Sequence, residues 1–422
     1  VTDIARRPRR HSTGPVRHGR QRTSSPVATA LKGLAVAAAV ALVSVGTITA
    51  YAVNSVTTQF SANAVDISNG EAAPAPPPLL SAFEGGFNML VIGTDNDPNQ
   101  GDSFGERDAT LNDVNILLHV SADHQNAVVV SFPRDLVIPH PDCTDPETGE
   151  TFDAMSAQPL NEAFSRGGIS CVVATVSNLT GVDIQYAAAT SFDGVIEMTN
   201  AVGGVPVCLT EPIFDSDSGL DLPAGTSTIE GQMALAFLRN RHGVGDGSDL
   251  SRIGSQQQYL SSLMRTMKSS NTLSDLSKLY GLAQAAAQNI KPSSSLASPD
   301  AMVSLALTLK DVDLSKIVFV QYPSVDDPDD PNKVVPAQSL ADDLFTKVLA
   351  DQPFTLGADS TSTGSTVVAD PGAEVPAPVE TAAPEATDPA TGAPTTEAAP
   401  EVIEGLKGQT AAQETCANPF DG

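Results

Sequence analysis

The sequence predicts an α/β fold: an α/β/α sandwich around a central mixed sheet, preceded by one transmembrane helix. Three observations lead there. Short apolar runs bounded by turn residues recur through the middle of the chain, segments with helical periodicity lie between them, and one uncharged stretch near the N-terminus is long enough to cross a bilayer. The 422 residues carry 23 Lys+Arg against 50 Asp+Glu, a net charge of -27, and this charge is unevenly spread. Residues 1–32 hold seven Arg and one Lys against a single Asp, so the rest of the chain is strongly acidic. An acidic body lacks the counter-charge that a phosphate backbone demands, which excludes nucleic acid as a partner.

Taken in order, the basic segment 1–32 is expected in the cytoplasm, fixed there by Arg6, Arg7, Arg9, Arg10, Arg17, Arg20, Arg22 and Lys32. The run 33–53 is the expected membrane helix; Ala50-Tyr51-Ala52 also fits a signal-peptidase site, so a cleaved signal peptide is the competing reading. The long segment ahead of the run favours an anchor, which makes this a single-pass cell-membrane protein with its folded domain outside. Residues 54–82 include the run PAPPP at Pro74 to Pro78 and read as a stiff extracellular spacer. The folded domain is expected over 83–355. Residues 356–404, rich in Ala, Pro, Thr and Glu, read as a disordered acidic tail. The segment 405–422 regains Leu406, Cys416 and Phe420, as a strap tied back by a disulfide would.

Within the domain, runs at 88–93, 115–120, 127–132, 205–209 and 317–322 read as buried strands. Helical patterns fall at 170–179, 192–201, 231–239, 251–268, 300–309 and 338–349. Cys143, Cys171, Cys208 and Cys416 form an even set in an exported region without metal-ligand spacing, so disulfides are expected; Cys143 with Cys171 is the favoured pair among three possible pairings.

The hydrolase signatures GxSxG and HExxH are absent, and His119, His124, His140 and His242 assemble no triad. Phosphate-binding glycine fingerprints are absent too; no strand leads into the cluster 243–247. Arginine placement is the unusual feature. Arg134 follows a buried strand, Arg239 and Arg241 close a helical segment, and Arg252 opens the next, with Gln256 one turn on and Tyr259 near the same face. Element ends are where α/β proteins build ligand sites, and guanidinium forks suit phosphates. Asp95 ends the first strand and Asp113 starts the second, supplying the hard oxygens that Mg²⁺ beside a pyrophosphate would want. Singly, each arginine would serve as a surface ion pair; together they point to a site.

The succession NMLVIGTD, NDVNILLHV, VVSFPRDLVIP, LNEAF..GG, AVGGVPV, GQMALAFLRNRH and SDLSRIGSQQQYL resembles the LytR-CpsA-Psr family of cell-wall glycopolymer transferases in its actinobacterial form. The resemblance implies transfer of a glycopolymer, arabinogalactan-like or another secondary wall polymer, from a polyprenyl-pyrophosphate carrier to peptidoglycan through a phosphodiester. It implies Mg²⁺ and arginines on the pyrophosphate, with the isoprenoid in an apolar tunnel, for which 170–179 and 231–238 are the candidate walls. By motif, Asp95 and Asp113 match the acidic, metal-associated positions; Arg134 matches the PRD arginine, Arg239 and Arg241 the RxR pair, and Arg252 with Gln256 the RxxxQQ helix, where Asp249 also falls. The expected catalytic set is Asp95, Asp113, Arg134, Arg239 and Arg241. Arg107, Asp249, Arg252 and Gln256 join the arginines in binding the pyrophosphate and lipid. The sequence departs from the pattern at Leu111 and Ser255, where arginines are usual, and Arg107 lies near enough to substitute. A pyrophosphatase that cleaves the carrier, and a scaffold that binds lipid-linked glycan without chemistry, are the alternatives.

Overall fold

A computed structural model describes residues 27, 30–32, 58, 62–68, 82–96, 109–146, 148–270, 272–368 and 400–420. The chain divides into two units, Val1–Asn54 and Ser55–Gly422. In the first, only residues 27 and 30–32 are described, and they are helical. No described helix is long and apolar enough to cross a membrane; the expected span 33–53 lies outside the described residues, as do Arg107 and the PAPPP run.

In the second unit the chain runs through β1 (Phe87–Thr94), β2 (Asn112–Val120), β3 (Ala127–Phe132), α1 (Ala163–Thr180), β4 (Tyr186–Thr190), α2 (Phe192–Val202), β5 (Val205–Leu209), β6 (Gly225–Ile229) and α3 (Gly231–Arg239). It continues through α4 (Asp249–Ser269), α5 (Leu276–Asn289), β7 (Ile290–Pro292), α6 (Pro299–Lys310), β8 (Ile317–Gln321) and α7 (Gln338–Leu349). Five short strands finish it: β9 (Phe354–Leu356), β10 (Ser365–Val367), β11 (Glu401–Ile403), β12 (Gly408–Thr410) and β13 (Thr415–Ala417).

The central sheet has seven strands in the order β7-β4-β1-β2-β3-β8-β12. It is mixed: β1 runs parallel to β4 and β3 parallel to β8, while the other neighbours are antiparallel. The apolar runs are continuous because both faces are covered. On one face Leu90, Ile92, Leu117 and Val130 pack against Val172 and Val176 of α1 and Leu344 and Val348 of α7. On the other, Met89, Ile116, Val129 and Phe319 meet Leu260 of α4 and Ala301 of α6. Each such side chain contributes roughly 1.5–3 kcal/mol on full burial. The expected sandwich is therefore present, with helices on both faces.

The chain beyond 355 departs from the expectation. Residues 356–404 were to be a disordered tail, yet β9 pairs in parallel with β11, and β10 joins a second, four-stranded sheet in the order β6-β5-β13-β10. A few well-placed anchors outweigh the polar composition: Ile403 and Leu406 enter the main core, and Ser362 donates to Gln257 at 3.0 Å. Residues 369–399 lie outside the described set. The strap itself is present, with β12 on the edge of the central sheet and Cys416 bonded to Cys208; Cys143 is bonded to Cys171. The spacer 54–82 is also partly structural. Val65 bridges Ser293 and packs on the core, and Ser170 Oγ donates to the Asp66 carbonyl at 2.9 Å.

One buried group gives the fold a pH dependence. His140 is 1 % exposed with no partner for either ring nitrogen. Burial, and then the Arg166 charge beside it, push its pKa down to about 4. The unfolded chain holds this proton up to about pH 6.5, so the folded state loses stability as pH falls from there toward 4. The loss reaches roughly 3 kcal/mol. His140→Leu should remove this part of the acid sensitivity, measured as the difference in unfolding free energy between pH 7 and pH 5; an unchanged difference would refute the assignment.

Candidate active site

β1 ends in a register shift at Gly93/Thr94, and the next residue closes the neck of the following loop. The Asp95 N–H donates to the Leu111 carbonyl at 3.1 Å, and Asp95 Oδ1 accepts from the Leu111 N–H at 2.8 Å. Asp95 is thus 1 % exposed and held at the entry to β2, with Leu111 acting through its backbone. Two residues on, Asp113 belongs to a charged cluster that the sequence scatters over 140 positions. Arg134, just past β3, donates from Nη1 to Asp113 Oδ1 at 3.0 Å and from Nε to Asp135 Oδ2 at 3.4 Å. Its backbone N–H donates to Asp249 Oδ2 at 3.1 Å, which ties the end of β3 to the start of α4. Arg252, one turn into α4, forms an ion pair with Asp249 at 2.6 Å and donates from Nη2 to the Asp113 carbonyl at 2.9 Å.

α4 starts where it does because Ser248 caps it, accepting from the Ser251 N–H at 3.3 Å. The glycine cluster ahead of it is a packing device. At Gly245, with φ +55°, an added Cβ would fall 2.4 Å from Ser251 Oγ and 2.7 Å from the Gly364 backbone.

The cluster gathers three guanidinium groups, and not every donor in it has an acceptor. Burial works against the Arg134 charge, but the Asp113, Asp135 and Asp249 carboxylates outweigh it and raise its pKa. Arg241 goes the other way: burial, then Arg134 and, beyond the help of Asp249, Arg252, pull its pKa below the usual arginine value. The Nε groups of Arg241 and Arg252 are buried with no hydrogen-bond acceptor among the described residues. Buried charged donors without partners are costly, and a bound anion would satisfy them.

Beside the cluster lies a cavity of about 280 Å³ between the sheet and the helices α2, α3 and α4. Val91, Val114, Val195, Leu235, Tyr259 and Leu263 give it apolar walls, and Asp113, Arg239 and Gln256 stand in its lining. Arg239 lies over the Phe192 ring at 4.3 Å, and Gln256 Nε2 donates to the Leu238 carbonyl at 3.1 Å. Asp113, Arg134, Arg241, Asp249 and Arg252 therefore share one cluster, Arg239 and Gln256 sit on the adjoining cavity, and Asp95 is held at the neck. Of the two expected walls, 231–238 contributes Leu235 and Leu238, whereas 170–179 packs on the opposite face of the sheet. Ser255, at the second departure, is buried at 1 % exposure.

Sequence reasoning passed over Asp135 and the α2 wall. Asp135 was adjacent to Arg134 in the PRD run, and Phe192, Val195, Met198 and Val202 repeat at the spacing of one helix face. For Mg²⁺, no three acidic, imidazole or thiol groups converge among the described residues. The available carboxylates suit instead the mode in which Mg²⁺ keeps water and takes substrate phosphate oxygens beside one or two carboxylates.

Fold and site together define an α/β protein with a cluster of arginines and carboxylates beside an apolar cavity. The sequence pattern of the LytR_cpsA_psr family matches residues 48–348, and the chain belongs to that family. Among curated relatives it is 30% identical over 235 residues to "Cell wall biosynthesis protein LcpA" of Corynebacterium glutamicum, a match covering 50% of this chain and 45% of that protein. It is 23% identical over 287 residues to the "Polyisoprenyl-teichoic acid--peptidoglycan teichoic acid transferase TagT" of Bacillus subtilis, covering 67% of this chain and 83% of that protein. The chain thus spans less than half the length of its Corynebacterium relative. In fold it is similar to the solved "LytR-Csp2A-Psr enzyme from Actinomyces oris", with a TM-score of 0.50 and 21% identity over 68% of this chain and 94% of that one.

Proposed function

We propose that the chain is a membrane-anchored phosphotransferase whose domain lies outside the membrane. It moves a glycopolymer, arabinogalactan-like or another secondary wall polymer, from a polyprenyl-pyrophosphate carrier to peptidoglycan. The observation that carries this reading is the junction of an apolar cavity with buried, unsatisfied guanidinium donors, a pairing suited to an apolar chain ending in a pyrophosphate. The naming of relatives for polyisoprenyl-linked transfer to peptidoglycan supports it.

In this reading the isoprenoid fills the cavity and Arg134, Arg241 and Arg252 bind the pyrophosphate. The acceptor hydroxyl oxygen bonds to the phosphorus next to the glycan, the bond from that phosphorus to the bridging oxygen breaks, and polyprenyl phosphate leaves. Arg134 turns from Asp113 to the phosphate, which leaves that carboxylate to serve one of two roles, general base for the hydroxyl proton or metal ligand. The arginines stabilise the charge that spreads over the phosphoryl oxygens, and no covalent nucleophile is needed. Asp95 and Asp113 are the residues that would hold Mg²⁺, which would supply further charge neutralisation.

The test uses the full chain in detergent micelles with a polyprenyl-pyrophosphate oligosaccharide and peptidoglycan fragments, with Mg²⁺ or a chelator, read by mass spectrometry. Transfer predicts a phosphodiester-linked glycan on the peptidoglycan. Carrier cleavage without acceptor would indicate a pyrophosphatase, and bound, unreacted carrier a scaffold. The cavity gives a separate prediction. Val195→Trp should fill part of it and weaken polyprenyl pyrophosphate binding about tenfold or more, because each displaced methylene is worth ~0.8 kcal/mol. Inorganic pyrophosphate, titrated by calorimetry, should bind as before; an unaltered lipid affinity would move the isoprenoid elsewhere.

A further inference from the structure

A second cavity, of about 540 Å³, opens where the parallel neighbours β1 and β4 end, at Thr94 and Thr190. The carboxyl ends of parallel strands are where open α/β sheets take ligands. Thr94, Thr190 and Ser191 line this cavity and also the apolar one, so the two adjoin at the strand ends. Their chemistry differs. The walls of the second carry the amides of Asn96, Gln288 and Asn289, the Asp193 carboxylate, one ammonium from Lys291 and the Phe164 ring. Planar amides donate to and accept from hydroxyls, a carboxylate accepts from them, and a ring can lie against an apolar sugar face. With one ammonium against the Asp145 and Asp193 carboxylates, the lining has no excess of cations for a phosphate and suits a neutral polyhydroxylated ligand, whereas the arginine cluster suits the anion.

The wall is also built with a backbone that packing does not explain. Gly168, in the LNEAF..GG motif, interrupts α1 at φ 59° and ψ -147°, a conformation essentially reserved for glycine. It lines the cavity, and a Cβ there would meet nothing within 4 Å, so the glycine serves the conformation and not close packing. Gly167 serves packing: its Cβ would lie 3.1 Å from that of Cys171 and 3.3 Å from the Thr144 carbonyl oxygen. The break is thereby set against the Cys143–Cys171 disulfide, next to Asp145 and Pro146 of the same wall. A wall segment whose conformation only glycine takes freely, braced by a disulfide and facing an open cleft, is shaped for the cleft and not for the core.

We propose that this cleft is a saccharide subsite, which holds a glycan unit against the pyrophosphate site; the proposal rests on the transferase reading above. The sugar has two sources, the first residues of the lipid-linked donor or the glycan strand of the acceptor. The experiment compares the full chain in detergent micelles with its Asp193→Asn/Gln288→Ala variant. Three probes are titrated: bare polyprenyl pyrophosphate, the same carrier bearing a disaccharide, and a soluble peptidoglycan glycan-strand fragment. The variant should bind at least one sugar-bearing probe about tenfold more weakly, as expected for two lost hydrogen bonds, and the probe affected identifies the source. Its affinity for the bare carrier should stay unchanged, which also shows that the fold is intact. Unchanged binding of both sugar-bearing probes, or an equal loss for the bare carrier, would overturn the subsite. If the parent ignores the bare carrier and Arg134→Ala changes nothing, the transferase reading fails, while a sugar-specific loss in the cleft variant would still uphold the subsite.

Discussion

Arg134→Ala is expected to lower transfer by about 10²–10³-fold while leaving the chain folded, the range seen when one preorganised donor to a developing negative charge is removed. Its side chain is 24% exposed, so a ligand can reach it, yet it is held by Asp113 and Asp135 and kept fully charged. Removal has two consequences. In the proposed reaction the pyrophosphate would lose a fork of donors, and Asp113 would be left as an uncompensated carboxylate beside the incoming phosphates. Arg134→Lys restores the charge without the planar fork and should recover only part of the loss. The assay is turnover by mass spectrometry, with thermal melting to confirm folding. Activity within threefold of the parent in a folded Arg134→Ala protein would remove the arginine from the chemistry.

Much of this site could be read from the sequence because it sits at element ends. Arg134 and Arg252 follow or open strongly patterned segments, and the fold has little choice but to place such termini on one edge of the sheet. The division of labour could not be read. Arg239 and Arg241 are two residues apart at the end of α3, yet one lies over Phe192 on the apolar cavity and the other, with its Nε buried, feels the charges of Arg134, Asp249 and Arg252. That depends on where the chain leaves the helix, at Asn240, whose ψ of 122° is extended. The same contrast holds for the fold. The runs of large apolar residues in β1, β2, β3 and β8 declare themselves, whereas β4, Tyr-Ala-Ala-Ala-Thr, has no β-branched residue before its last position and becomes a strand through its neighbours β1 and β7. The C-terminal strands are three residues each, too short for periodicity to carry a signal. Their placement is decided by distant partners, above all by the second disulfide.

Breaking that disulfide is the second large expected effect. Cys208 and Cys416 are 208 positions apart, against 28 for Cys143 and Cys171. In the chain-entropy account, cross-linking the longer loop restricts the unfolded chain more, by roughly 2 kcal/mol between these two lengths. Cys208→Ser/Cys416→Ser should therefore cost more stability than Cys143→Ser/Cys171→Ser, within the ~2–5 kcal/mol usual for a native disulfide. Denaturant melts of the two double variants decide it, and a reversed order would show that native contacts outweigh chain entropy here. The longer bond also matters for function, because the strap it closes is bolted to α4. Gln258 donates to the carbonyls of both Cys208 and Thr415 at 2.7 Å, and Arg265 donates to those of Ala411 and Gln413 at 2.8 and 2.9 Å. The first turn of the same helix carries Asp249 and Arg252, which hold Arg134 and Asp113 in register. Loosening the strap should thus raise amide exchange along α4 and lower transfer in parallel, whereas loss of the shorter bond should leave exchange in α4 unchanged.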